Sequence, residues 1–341
     1  MKKLIIKIIL IIIFSLPATY SQSLHKYADI GDFKVLSGEI IKNCQIGYRT
    51  FGKINHDSSN IIIYPTWFLG TSEGISTLIQ KYKFVDSTKY YIIAIDALGN
   101  GISSSPSNYE YEDSVFNNLT ISDMVNSQYR FLTEILGINH IFSAIGGSLG
   151  SMQVLQWAVM YPDFIDKIVA YVATPKMSSY DLLWMNTQLN FIESARRNGM
   201  TEKEIKKISD MINAMIARTP DYVLKNIDIT DFPEYLKSFD QEPGKTFSFD
   251  NYLAQLKAMM KHDISINFGG SMEEAAKNIK AELFIIVNET DILINPTQAL
   301  NLANLTDAET LVLDNNCGHL GVSCEIDRCR EEIAEFLDNQ N

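Results

Sequence analysis

Gly146-Gly147-Ser148-Leu149-Gly150 is the stretch of this chain whose residue types and spacing most directly imply chemistry. It follows the apolar run His140 to Ile145 and precedes a helical pattern that begins near Leu149. A serine on a tight strand-to-helix turn sits on strained backbone with its hydroxyl held out over the sheet, and flanking glycines let neighbouring elements approach. The helix behind it aims its amino end at the same spot, where developing negative charge is stabilised. A serine hydroxyl is a weak nucleophile until a base takes its proton, and the base needs a carboxylate to hold its tautomer. In this setting the chain order is Ser, then Asp or Glu, then His. Of the five histidines only His319, in Asn316-Cys317-Gly318-His319-Leu320, comes late enough. The acid is assigned to Asp291, at the carboxyl end of the strand pattern Glu282 to Val287, with Glu289 as the rival and read as a solvated loop charge.

A second G-x-S-x-G, Gly70-Thr71-Ser72-Glu73-Gly74, lies in a loop with no immediate helix, and Ser72 is read as a chance match. The same loop, after an early central strand, is expected to supply one backbone N–H of an oxyanion hole. Leu149 is the candidate for one donor and Trp67 or Phe68 for the other. His262-Asp263 is assigned to packing or substrate contact. No cofactor is called for, and no metal site: Cys44, Cys317, Cys324 and Cys329 contain no C-x-x-C pair. The last three cysteines are near enough in sequence to bridge, with the pairing left open.

These residues need a scaffold that brings strand ends together, and the rest of the chain supplies one. Apolar runs at Asn60–Tyr64, Tyr90–Asp96, His140–Ile145, Lys167–Ala173, Glu282–Val287 and Glu309–Leu313 suit strands buried on both faces. They alternate with helical patterns at Ser122–Leu136, Leu149–Tyr161, Pro296–Leu305 and Glu325–Leu337, which predicts an α/β fold with a mostly parallel central sheet and helices on both faces. Strands near Phe33–Leu36 and Gln45–Thr50 are expected to pair as an antiparallel edge. Residues 175–280 break the alternation: Asp181–Arg197, Thr201–Arg218 and Asn251–His262 are helical, with no strong strand run. They predict a helical cap inserted between core segments 22–174 and 281–341, where it would build a substrate pocket. Met211, Met215, Met259 and Met260 are assigned to core packing.

Composition excludes several functions. With 46% hydrophobic and 21% charged residues in 341, the chain is a packed globular protein. Its 29 Lys+Arg against 41 Asp+Glu leave a formal charge of −12, which repels nucleic acid and anionic lipid. Met1-Lys2-Lys3, the apolar run Ile8–Leu16 and the small and turn residues Pro17–Gln22 read as a signal peptide over 1–21, cleaved after Ser21. Export to a periplasm or the medium follows, without stable membrane association; the alternative is an anchor formed by an uncleaved N-terminal segment. A homodimer is left open.

The arrangement of Ser148 is the nucleophile elbow of α/β-hydrolases, and the wider sequence resembles one group of that superfamily, the homoserine O-acetyltransferase family. The resemblance rests on Tyr48-Arg49-Thr50-Phe51-Gly52-Lys53-Ile54-Asn55, the stretch GGSLGSMQVLQWAVMYPDFIDKIV from Gly146, Phe249-Asp250-Asn251-Tyr252, Asp291 and Gly318-His319. It implies an α/β-hydrolase fold with a cap, and Ser148, Asp291 and His319 as nucleophile, acid and base. The chain departs from the family in three places, one of them Asp96-Ala97-Leu98-Gly99-Asn100-Gly101-Ile102-Ser103, which looks like the loop of general α/β-hydrolases. Tyr64-Pro65-Thr66-Trp67-Phe68-Leu69-Gly70 stands where the transferases have a His-Ala-Leu-Thr-Gly-like loop, and the arginine they use on the homoserine carboxylate has no clear counterpart, since Met215 falls near its place and Arg218 is three residues away. Acetyl-CoA is a cytosolic metabolite that an exported enzyme would not meet. The expected activity is therefore hydrolysis of a small ester through an acyl-enzyme on Ser148. The alternatives are acetyl transfer from acetyl-CoA to homoserine, and a non-catalytic binding protein on the same fold.

Overall fold

The computed structural model describes residues 23–242 and 247–339, so the expected leader over 1–21 lies outside the described residues. Short strands open the fold: β1 (Lys26–Asp29), β2 (Phe33–Lys34), β3 (Ile40–Ile41) and β4 (Gln45–Phe51). Then come β5 (Ile61–Pro65), α1 (Ser72–Gln80), β6 (Tyr91–Ile95), α2 (Ile121–Arg130), β7 (Ile141–Gly147), α3 (Leu149–Met160) and β8 (Ile165–Tyr171). Six helices lie between β8 and the next strand among the described residues: α4 (Ser179–Arg197), α5 (Glu202–Ala217), α6 (Pro220–Asn226), α7 (Phe232–Lys237), α8 (Phe249–Met260) and α9 (Met272–Asn278). The chain closes with β9 (Glu282–Asn288), α10 (Thr297–Thr306), β10 (Glu309–Leu313), α11 (Gly321–Cys324) and α12 (Ile326–Asp338).

Eight strands form one sheet in the order β1-β4-β6-β5-β7-β8-β9-β10. The pairs from β6 to β10 are parallel, while β1 and β4 run antiparallel. Side chains alternate between two cores: Ile61, Ile63, Ile93 and Ile95 belong to one, and Ile62, Tyr64, Ile92 and Ala94 to the other. That alternation is the period of two of an extended strand, and burial on both faces is why the strand sequences read as continuous apolar runs. The helix α3 is buried on every side from Leu149 to Val159, its polar Ser151, Gln153 and Gln156 included, because it passes behind the centre of the sheet.

Some expectations need correction. Phe33–Leu36 does not pair with Gln45–Thr50: β2 pairs with β3 in a separate two-stranded sheet, and β4 is held between β1 and β6. The strand expected over Lys167–Ala173 runs from Ile165 and stops at Tyr171, since Val172 takes φ +42° and leaves the sheet. The helix expected over Ser122–Leu136 is regular only to Arg130 and widens into a π turn over Phe131–Ile135. Met215 is 72% exposed and packs in no core, whereas Met259 is buried as expected. No helix among the described residues is long and apolar enough to cross a membrane.

Candidate active site

Parallel strands end on the same edge of the sheet, and three of those ends carry the residues singled out from sequence. Ser148 follows β7, Asp291 lies just beyond β9, and His319 lies in the turn after β10. Ser148 adopts φ +54°, ψ −123°, a conformation that costs an L-residue of order 1–3 kcal/mol and persists only where the surroundings impose it. The surroundings do so by close approach. A Cβ on Gly146 would stand 2.3 Å from the Gly150 carbonyl oxygen, and one on Gly150 would stand 2.7 Å from that of Pro65, so neither position admits a side chain. Two other non-glycine residues with positive φ, Leu69 and Val172, border the same region.

His319 Nδ1 lies 2.7 Å from Asp291 Oδ2, and its Nε2 lies 3.0 Å from Ser148 Oγ. A carboxylate only accepts, so Nδ1 carries the proton and Nε2 is left to accept from the serine hydroxyl. The side chains of Asp291 and His319 are 1% and 9% exposed. Asp291 Oδ1 accepts from the backbone N–H groups of Leu293 and Ile294 at 2.9 and 3.0 Å, which fixes the carboxylate plane. The histidine loop is secured in turn by Asn288, whose amide donates to the Gly318 carbonyl at 2.7 Å, and by a disulfide between Cys317 and Cys324. Cys44 and Cys329 are free and buried, and burial pushes their thiols up to about 12 and about 11. Among the described residues no group of three His, Cys, Asp or Glu side chains is arranged to hold a metal ion.

The loop after β5 is clamped from three directions. Gln153 of α3 donates to the Thr66 carbonyl at 3.0 Å, and Gln255 of α8 accepts from Leu69 N–H at 2.8 Å. Asp96 accepts from Asn100, whose amide also donates to the Gly70 carbonyl. Among the described residues none accepts from the backbone N–H of Leu149, Trp67 or Phe68. The expectation of a loop with no immediate helix at Ser72 is corrected, since α1 begins at this residue; Ser72 is buried, with its hydroxyl and its N–H both bonded to Asp96 at 2.7 Å, which anchors the end of the loop. Sequence reading missed Gln153, Gln255 and Asp96, although all three stand in stretches it had marked, Gln255 in the helical pattern Asn251–His262.

The other candidates lie apart. Glu289 is exposed, and its backbone pairs with Leu313. His262 is buried and accepts no charge readily: burial lowers it to about 4, with Nε2 3.2 Å from the Thr174 carbonyl. A histidine kept neutral inside the fold contributes full stability above its unfolded value near 6.5, and loses it as pH falls from there towards 4. Unfolding by urea is therefore expected to show that His262→Gln loses about 3 kcal/mol less than the parent between pH 6.5 and pH 4. Equal losses would remove His262 from the acid response.

A cavity of about 420 Å³ opens at Ser148 and His319. On one side its wall is Leu78, Phe84, Tyr171, Val172, Val322 and Ile326, from one core. On the other it is Phe68, Trp184, Met259 and Leu293, from the other core, together with Asn213. Room for apolar groups thus exists on both sides of the serine, and among the described residues no Lys, Arg, Asp or Glu lines it. Arg218 is not among the lining residues: its guanidinium stacks 4.2 Å over the Tyr222 ring and its Nη1 stands 3.6 Å from Cys324 Sγ.

A serine, histidine and carboxylate joined in series over an apolar cavity, at the strand ends of a mostly parallel sheet, are the features of an enzyme that transfers or hydrolyses acyl groups. Residues 80–323 match the family model described as the alpha/beta hydrolase fold, and the chain belongs to that family. An ethyl acetate hydrolase from Pseudomonas veronii is 27% identical over 333 residues, covering 91% of this chain and 95% of that protein. A homoserine O-acetyltransferase from Methanosalsum zhilinae is 28% identical over 360 residues, covering 90% and 71%. The crystal structure of an acetylester hydrolase from Corynebacterium glutamicum superposes with a TM-score of 0.80 at 25% identity, over 93% of this chain and 95% of that one. This protein is thus a hydrolase or acyltransferase of small molecules, with relatives on both sides of that division.

Proposed function

We propose that the protein is an exported ester hydrolase acting on small, uncharged esters through an acyl-enzyme on Ser148. The observation that carries this reading is the relay from Asp291 through His319 to Ser148, with contacts of 2.7 and 3.0 Å, set in a cavity that no Lys, Arg, Asp or Glu lines among the described residues. Ser148 Oγ attacks the carbonyl carbon while its proton passes to His319 Nε2. The oxyanion is held by the N–H of Leu149 and that of Trp67 or Phe68. Collapse breaks the ester C–O bond, and the alcohol leaves with the proton from His319. Water then gives a proton to His319 and its oxygen to the acyl carbon, which releases the acid and restores Ser148.

The apolar wall favours water over the transferase reaction, because homoserine carries a carboxylate that a cavity with no Lys or Arg among its described lining residues would leave unpaired. Export is read from residues 1–21, and the Cys317–Cys324 disulfide suits an oxidising compartment. The test is a substrate panel. Purified protein is expected to hydrolyse p-nitrophenyl acetate and ethyl acetate, and to release no more CoA from acetyl-CoA with homoserine than without it. Homoserine-dependent CoA release outrunning ester hydrolysis would assign the acetyltransferase reaction instead. Inertness towards every ester and a fluorophosphonate probe would make the fold a binding protein. Sequencing of protein recovered outside the cytosol is expected to begin at Gln22.

A further inference from the structure

Among the described residues the cavity wall carries one side-chain amide, Asn213 of α5. Gln188 of α4 donates from Nε2 to the Ser209 carbonyl at 3.0 Å. A carbonyl only accepts, so this contact fixes which end of the Gln188 amide is the nitrogen. The same Nε2 lies 3.0 Å from the Asn213 side chain, which must therefore present its oxygen, Oδ1, to it. The Nδ2 group of Asn213 is left with the Tyr252 hydroxyl beside it as its one protein acceptor among the described residues, on a residue that lines the cavity. Behind it the polar atoms are under-satisfied. The buried Tyr252 hydroxyl, Gln188 Oε1 and Ser209 Oγ have no hydrogen-bond partner among the described residues. Burial pushes the Tyr252 phenol up to about 12, and the Asn213 amide beside it opposes that shift, yet the two do not reach hydrogen-bond geometry.

Buried polar atoms without partners are uncommon, and three of them clustered on α4, α5 and α8 behind a single cavity-facing amide mark a place built for a polar group. We propose that Asn213, backed by Tyr252 and Gln188, is a hydrogen-bond donor subsite for an uncharged oxygen of the substrate, an ether, carbonyl or hydroxyl oxygen remote from the ester carbonyl. A carboxylate or phosphate is disfavoured by chemistry: one neutral amide does not offset the desolvation of an ion, and among the described residues no Lys or Arg lines the wall. The preferred substrate is thus an ester with an apolar body and a second oxygen at its cap end. This rests on the ester reading above and adds the specificity of the same cavity.

The test reads binding, so it stands apart from whether Ser148 performs the chemistry. Trp67 and Trp184 line the cavity, and their fluorescence reports occupancy in Ser148→Ala protein. The probes are hexyl acetate, ethyl hexanoate and isosteres of each with one chain methylene at a time replaced by an ether oxygen. One oxygen position is expected to bind about threefold to tenfold tighter than its neighbours, as one net hydrogen bond would give. Adding Asn213→Leu is expected to level that profile. Asn213→Asp, nearly isosteric and still able to accept from Gln188, is expected to level it too, which guards against a folding artefact. A level profile in the Ser148→Ala parent, or a peak that survives both substitutions, overturns the subsite. Loss of Ser148-dependent esterase activity in the parent chain, by contrast, would overturn only the reaction.

Discussion

Replacing Ser148 with alanine is expected to lower kcat/KM for p-nitrophenyl acetate by at least about 10⁴-fold, with the folded state intact. Only Oγ is removed, and the backbone of the elbow keeps its hydrogen bonds, including Ser148 N–H to the Tyr171 carbonyl at 3.1 Å. The paired variant Ser148→Gly separates chemistry from strain. Glycine adopts φ +54° without a Cβ penalty, so this variant is expected to be as inactive as the alanine one yet more stable than it by about 1 kcal/mol. Activity is read by p-nitrophenolate release and stability by thermal unfolding. Comparable turnover in Ser148→Ala and the parent would take the nucleophile away from this residue, whatever the geometry around it.

The strained elbow was legible because its signal is local: a strand pattern, glycines at the positions of closest approach and a helix directly behind. His319 could be reached by elimination and Asp291 by its place at a strand end, since in a parallel sheet sequence order and spatial edge are linked. What was illegible depends on contacts between distant segments. The helix α1 begins at Ser72 between two glycines, and Thr71 makes no side-chain cap; its first turn is bonded instead by the Asp96 carboxylate, twenty-four positions away. No window of sequence around Ser72 contains that partner. The pairing of β2 with β3 went unrecognised because each strand has only two residues, too few for alternation to register. Met215 read as a core residue by helical spacing, but α5 turns that side outward. Asn213 was invisible for the converse reason: an asparagine in a helix pattern carries no signal until α4 and α8 close around it.

Asp291→Asn provides the sharper test of the relay, because the surroundings dictate how the new amide must sit. Asp291 Oδ1 accepts from two backbone N–H groups, those of Leu293 and Ile294, and neither can accept in return. An asparagine here keeps its oxygen on those donors, which forces its NH₂ group into the place of Oδ2, facing His319 Nδ1. Nδ1 must then accept, the ring proton moves to Nε2, and Nε2–H points at Ser148 as a donor with no capacity to take the serine proton. The variant is expected to retain the parent's thermal stability to within about 1 kcal/mol, since the backbone contacts survive, while kcat falls by roughly 10⁴-fold. KM for the same ester is expected to change little, because the cavity walls do not include this residue. Fluorophosphonate labelling of Ser148 is expected to slow in parallel, as it draws on the same proton transfer. An Asp291→Asn protein that keeps the parent's kcat would mean that another group fixes the tautomer of His319. A fall in kcat accompanied by unfolding would trace the loss to the loop over Leu293 and Ile294; Asp291→Ala, which also releases those two N–H groups, is expected to be the less stable of the two variants.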